Sequence, residues 1–195
     1  MDFDVYKRYG GVGSFPPTDD GYIVVLQHPV TTEPGEASEQ AKQTLQAVHD
    51  VGIPTLWFWP NVDAGSDETA SVLRKFRESN EQHKLHFFKN MEPEDFLKLL
   101  ANARCLVGNS SVGIRECSFL GVPTVNIGTR QGGRDRGMNV IDVTHDAGSI
   151  RSAIEQWLGS SRPESDNVYG GGRAGEEVAE LLAKVEPRSS KRLLL

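Results

Sequence analysis

Four short stretches of this 195-residue chain gather residues able to do chemistry, and each follows an apolar run. The densest is Gly108-Asn109-Ser110-Ser111-Val112-Gly113, a small-residue turn that opens a helical pattern. Backbone N–H groups and the positive end of a helix receive a phosphate at such a place, and two hydroxyls add donors. The same residues also make an ordinary serine cap with glycine relieving a tight turn. Glu116 comes five residues after Ser111, about 7.5 Å along an α-helix. That reach suits a ribose diol whose phosphate sits at the helix start, while a solvated helix carboxylate is the plain alternative. Arg130, Arg134 and Arg136 crowd one loop, where guanidinium forks fit a diphosphate or pair with Asp135 and other carboxylates. Gln27-His28-Pro29 offers an imidazole that donates to phosphate or moves a proton near neutral pH, although a lone histidine is more often structural. The fourth stretch, residues 60–66 with Asn61, reads equally as turn chemistry and a helix cap.

The elements that must position these residues alternate. Apolar, β-branched or aromatic runs predict strands at 22–27, 54–59, 84–88, 104–107, 123–127 and 140–143. Helical spacing predicts helices at 36–50, from Ser66 through Phe76, at 93–102 with Pro93 in the first turn, at 111–120 and at 147–158. The strands are apolar on both faces, so the expected fold class is α/β, a doubly wound parallel sheet of Rossmann-like type. Ligands bind outside the carboxyl ends of such strands, where the chemistry-bearing loops fall. Residues 1–21 read as an irregular lead-in or linker and 22–186 as the domain. A last amphipathic helix spans 174–185 after the break at Gly170–Gly172, and 187–195 read as a flexible tail.

Composition narrows the classes. Lys and Arg number 21 against 27 Asp and Glu, a net charge of −6, so nothing global draws the chain to nucleic acid or an anionic membrane. Cys105 and Cys117 sit among apolar residues without metal-ligand spacing, which predicts buried reduced thiols and a cytoplasmic protein. No stretch approaches the roughly 20 apolar residues of a membrane span, and the N-terminus lacks a signal-peptide pattern.

Together, QHPVTTE at 27–33, PNVDAGS at 60–66, GNSSVGIRE at 108–116 and GVPTVNIGTRQGGR at 121–134 resemble the C-terminal half of the hydrolysing UDP-N-acetylglucosamine 2-epimerases of sialic-acid pathways. The resemblance runs over about residues 22–185. It implies a GT-B-like fold of two Rossmann-like domains across a cleft, this chain supplying the UDP-binding one. It implies that His28 contacts the diphosphate and assists its departure, and that Ser110 and Ser111 hold phosphates. Glu116 would take the ribose hydroxyls, Arg130 the diphosphate, and Asn61 with the backbone near Met91 the uridine side. The implied reaction removes the C2 proton, expels UDP to give a glycal and adds water, yielding N-acetylmannosamine without metal or redox cofactor. The family's acid/base carboxylates belong to an N-terminal domain with no counterpart here, so this chain alone is expected to be incomplete and inactive. A homo-oligomer is compatible with the resemblance. Feedback inhibition, known for the animal enzymes, is not carried over, because the helix after PNVDAGS has Asp67 and Ser71 beside Arg74 and Lys75. The competing readings are the UDP-sugar-binding half of a GT-B glycosyltransferase and a noncatalytic nucleotide-binding module.

Overall fold

The computed structural model describes residues 4–79 and 84–186; the expected tail at 187–195 lies outside them. In chain order the elements are α1 (Val5–Tyr9), β1 (Val12–Gly13), β2 (Ile23–Leu26), α2 (Ala37–Val51), β3 (Thr55–Phe58), α3 (Ser66–Ser79), β4 (Leu85–Phe88), α4 (Pro93–Asn102) and β5 (Cys105–Gly108). There follow α5 (Ser111–Ile114), α6 (Glu116–Leu120), β6 (Thr124–Ile127), β7 (Val140–Val143), α7 (Ala147–Leu158) and α8 (Ala174–Lys184). The seven strands form one sheet in the order β1-β4-β3-β2-β5-β6-β7. All pairings are parallel except β1 with β4. Each of the six expected strands is present.

Alternation along the strands divides the core. Ile23, Val25, Trp57, Phe87, Val107 and Val125 face one side, where Leu45 and Val48 of α2, Leu73 of α3 and Ile150 and Ile154 of α7 cover them. Val24, Leu56, Phe58, Phe88 and Leu106 face the other, under Val5 of α1, Leu99 and Leu100 of α4 and Cys117 of α6. With both faces covered, apolar strands are what a parallel sheet requires. Burial pushes the thiols of Cys105 and Cys117 up to about 12, which keeps both protonated.

Two sequence expectations are corrected. Residues 5–13 are not irregular. Asp4 caps α1 by accepting from the amides of Tyr6 and Lys7, and β1 adds an antiparallel edge to the sheet. The His86 ring holds this edge, one nitrogen facing the Gly10 carbonyl and the other the Ser14 carbonyl, each at 2.7 Å. The expected helix at 111–120 is broken at Arg115 (φ −98°, ψ −73°) into α5 and α6, and Phe119 of α6 is 48% exposed. The break leaves one turn of aligned peptides at the helix start and weakens the dipole argument accordingly. The last helix, α8, forms as expected but buries no residue.

Candidate functional site

The sheet winds outward in both directions from β2 and β5, which pair parallel and carry the first and fourth parallel strands of the chain. That junction is the topological switch point, where strands diverge at their carboxyl ends and leave a crevice. Three of the loops singled out in the sequence meet there.

The loop after β2 carries His28, which is 6% exposed. The Asn61 amide, from the loop after β3, donates to His28 Nδ1 at 3.3 Å. A nitrogen that accepts cannot carry the proton, so the neutral ring holds its proton on Nε2. Burial first, then the Arg130 charge, depress the His28 pKa to about 4 against an opposing pull from Asp63. At pH 7 the imidazole is therefore a neutral donor rather than a cation.

The loop after β5 begins at Gly108, whose φ of 139° suits glycine. A Cβ at this position would collide with the Leu26 backbone carbonyl of β2, so the turn admits no larger residue without moving the strands apart. Asn109, fully buried, bonds through its side chain to both backbone groups of His28. Ser110 is the N-cap of α5, its Oγ accepting from the Val112 amide at 3.4 Å, so the capping role is realised while its hydroxyl proton stays available. Ser111 is half-buried at the first helical position.

The loop after β6 supplies Arg130 and Gln131. Arg130 is exposed, yet its Nη1 donates to the Asn109 carbonyl at 3.2 Å, and Gln131 Nε2 donates to the same oxygen at 2.7 Å. Thr129 donates to Glu33 of the β2 loop, a second tie between the two segments. Of the other arginines, Arg136 pairs with Asp142 at 3.1 Å and donates to the Arg134 carbonyl, so the alternative of a carboxylate-paired loop holds for it.

Glu116 is the first residue of α6. It is half-buried, and its Oε2 is buried without a hydrogen-bond partner. It opens on a cavity of about 320 Å³ shared with Leu97 of α4, Phe119 of α6, and Asp166 and Tyr169 of the segment before α8. An orphaned carboxylate oxygen is costly unless something donates to it, and vicinal hydroxyls would. Met91, after β4, has its side chain in the core and its amide bonded to Asn90 Oδ1 at 2.9 Å. A larger cavity of about 890 Å³ between α2 and α3 is lined by none of these residues.

Hydrogen bonds thus link His28, Asn61 and Arg130 through Asn109, which precedes Ser110 in the chain, whereas none joins Glu116 or Met91 to them. Asn109 and Gln131 were not among the expected site residues. Their signal in the sequence was only that two amide side chains follow strands in the same motifs.

The sequence profile of the UDP-N-acetylglucosamine 2-epimerases matches residues 7–183. A UDP-N-acetylglucosamine 2-epimerase of Neisseria meningitidis is 33% identical over 170 residues, covering 86% of this chain and 44% of the relative. A hydrolysing UDP-N,N'-diacetylbacillosamine 2-epimerase of Legionella pneumophila is 29% identical over 183 residues, covering 93% of this chain and 46% of the relative. Among solved structures, that of UDP-GlcNAc 2-epimerase from Neisseria meningitidis bound to UDP-GlcNAc superposes with a TM-score of 0.66 at 15% identity, over 87% of this chain and 46% of that one. The fold is accordingly a Rossmann-like domain of the kind that GT-B-type architectures contain, and the chain spans less than half the length of these relatives. With a profile that runs from the first helix to the last, the chain belongs to the UDP-N-acetylglucosamine 2-epimerase family.

Proposed function

We propose that this chain is the UDP-binding half of a hydrolysing UDP-N-acetylglucosamine 2-epimerase. Joined to an N-terminal domain that carries the acid/base carboxylates, it converts UDP-N-acetylglucosamine to N-acetylmannosamine and UDP, in the reducing interior of the cell that the buried thiols suit. The observation that carries the reading is the convergence of His28 and Arg130 on Asn109 beside Ser110 and Ser111, with the unpartnered oxygen of Glu116 at the start of α6. His28, Ser110, Ser111 and Arg130 take the diphosphate, Glu116 the ribose diol, and Asn61 and the backbone at Met91 the uridine side. The close relation to the diacetylbacillosamine enzyme leaves the 2-acetamido sugar as the common element of the substrate class.

In that reaction the C2 proton leaves to a base, the C1–oxygen bond breaks with its electron pair going to UDP, and water adds across the resulting double bond. This half of the protein lowers the barrier to the bond-breaking step. The Arg130 cation, the amides at the start of α5 and a neutral imidazole with its proton on Nε2 all stabilise negative charge gathering on the diphosphate. A base for C2 must come within about 3 Å of it. His28, with a pKa of about 4 and its Nδ1 already engaged, suits the leaving group and not that task. The isolated chain therefore binds UDP and does not turn over UDP-N-acetylglucosamine.

Chemical-shift mapping of the purified chain with UDP tests the reading. The expected result is perturbation of Gly108–Glu116, His28 and Arg130 at millimolar nucleotide. Silence across these residues overturns it.

A further inference from the structure

The last paired residues of β2 and β5 are Leu26 and Gly108. One position on, the backbone ladder stops and the Asn109 side chain replaces it. Its Oδ1 accepts from the His28 amide at 2.7 Å, and its Nδ2 donates to the His28 carbonyl at 2.8 Å. A primary amide held this way acts as a spare peptide unit, one acceptor and one donor presented to the neighbouring chain. It lets β2 and β5 part by the length of a side chain without leaving the His28 backbone unpaired, which is what opening a crevice at the switch point demands. Because the side chain does this work, the Asn109 backbone carbonyl is left for other partners, and it accepts from both Arg130 at 3.2 Å and Gln131 at 2.7 Å. One fully buried residue therefore holds segments 81 and 21 positions away in sequence.

We infer that Asn109 is the positioning residue of this crevice, setting the imidazole of His28 and the guanidinium of Arg130 in one constellation that grips a diphosphate, with Gln131 as its brace. For the ligand the inference rests on the nucleotide reading proposed above; the arrangement itself is testable without ligand. The charged groups that act on His28 are Arg130 from the β6 loop and Asp63 from the β3 loop, whereas the β5 side presents the neutral Asn109 and Ser110. Loosening Asn109 releases Arg130 from the imidazole and admits water to it, and both changes ease protonation of the ring.

The experiment follows the His28 ring by NMR across pH in the parent chain, Asn109→Ala, Arg130→Ala and the double variant, and measures affinities for UDP and uridine. Asn109→Ala is expected to move the His28 midpoint upward from about 4 toward the ordinary histidine value. Arg130→Ala moves it the same way, and the double variant goes little beyond the larger single change, because Arg130 acts through the geometry that Asn109 sets. The ratio of UDP to uridine affinity falls about tenfold or more in Asn109→Ala, the size of a charged hydrogen bond. A residue that merely supports the fold would lower the melting temperature and move neither readout. An unchanged midpoint in Asn109→Ala, or strict additivity in the double variant, overturns the inference. Should Asn109→Ala fail to fold, Gln131→Met keeps the volume and removes one tether on the Asn109 carbonyl. It is expected to shift the midpoint less but in the same direction, and no shift overturns the inference. If parent UDP and uridine affinities are equal, the nucleotide reading fails, while the titrations still decide the role of Asn109.

Discussion

At the β2–β5 junction, both side-chain atoms and the carbonyl oxygen of Asn109 are hydrogen-bonded, and the loops that reach it are tied to one another again through Thr129 and Glu33. Around the cavity that Glu116 lines, its Oε2 is buried with no partner, and the chain beyond Tyr169 runs into α8, where Val178, Leu181 and Leu182 lie 54%, 63% and 71% exposed. The polar groups of Asn109 find their partners within this chain, although Gln131 Oε1 beside them does not, whereas Glu116 Oε2 finds none. A phosphate grip depends on fixed donors that cost no reordering when charge develops, so it gains from being prebuilt. A carboxylate waiting for hydroxyls and an apolar helix face waiting for cover have no such need until their partners arrive. On the proposed nucleotide reading, the first region is the part that holds the diphosphate and the second the part that gains its partners on binding.

The largest expected effect comes from Gly108. In Gly108→Ala the new methyl meets the Leu26 carbonyl at a φ of 139°, so strain and overpacking add. A loss of about 4 kcal/mol or more in urea unfolding is expected. Gly170 has φ 99° with nothing within 4 Å of a Cβ, and Gly170→Ala should cost only the backbone term, about 1 to 2 kcal/mol. Equal losses would break the contrast between a tightly built region and an open one.

His28 comes next. Its folded pKa of about 4 lies below the ordinary value of 6.5, so the unfolded chain binds the extra proton between these pH values. The stability contributed by the neutral ring is therefore fully present above pH 6.5 and is lost as pH falls toward 4, by at most about 3 kcal/mol. His28→Gln should flatten stability across that window. Binding of UDP-N-acetylglucosamine, whose esterified diphosphate does not titrate there, brings negative charge to the ring, raises its pKa and takes up protons at pH 5. Calorimetry in buffers of different ionisation enthalpy reads the uptake, and its absence would put the diphosphate away from His28.

The two regions were unequally legible in the sequence. The six parallel strands stood out because runs such as YIVVLQ and PTLWFW are apolar on both faces, the pattern of a sheet covered on two sides. The edge strand β1 has two residues, one of them glycine, and is held by His86 more than 70 positions away, so no local period announces it. The break at Arg115 has no proline to mark it, and Gly113 two positions earlier is itself helical. His28, Asn61, Ser110 and Arg130 could be named from loop position, yet what links them runs through Asn109, whose bonds span 81 residues. Periodicity sees neighbours along the chain, and this hub is made of neighbours across the sheet.

Smaller effects sharpen the division along the ligand. Arg130→Ala should cost about 1.5 to 3 kcal/mol in UDP affinity and leave uridine binding unchanged, since the lost bond goes to phosphate. Glu116→Gln keeps the shape and removes the charge, and it should weaken UDP and uridine by the same factor, because both carry the ribose. A Glu116 variant that distinguished the two would move that carboxylate from the ribose to the phosphates.

The smallest effect is expected in α8. None of its residues is buried, so Leu181→Lys together with Leu182→Glu takes away little burial within this chain. Surface substitutions of that kind stay within about 0.5 kcal/mol. The double change should leave the unfolding midpoint of the isolated chain in place and lower its tendency to associate, because it takes two large apolar groups off an exposed face. Sedimentation at rising concentration measures the second quantity and urea unfolding the first. If the variant lost several kcal/mol, α8 would pack on the domain in solution, the cavity near Glu116 would be covered rather than open, and the contrast with the Asn109 junction would vanish. If stability holds, the helix is a free apolar face whose contribution to folding appears only when another domain or molecule covers it.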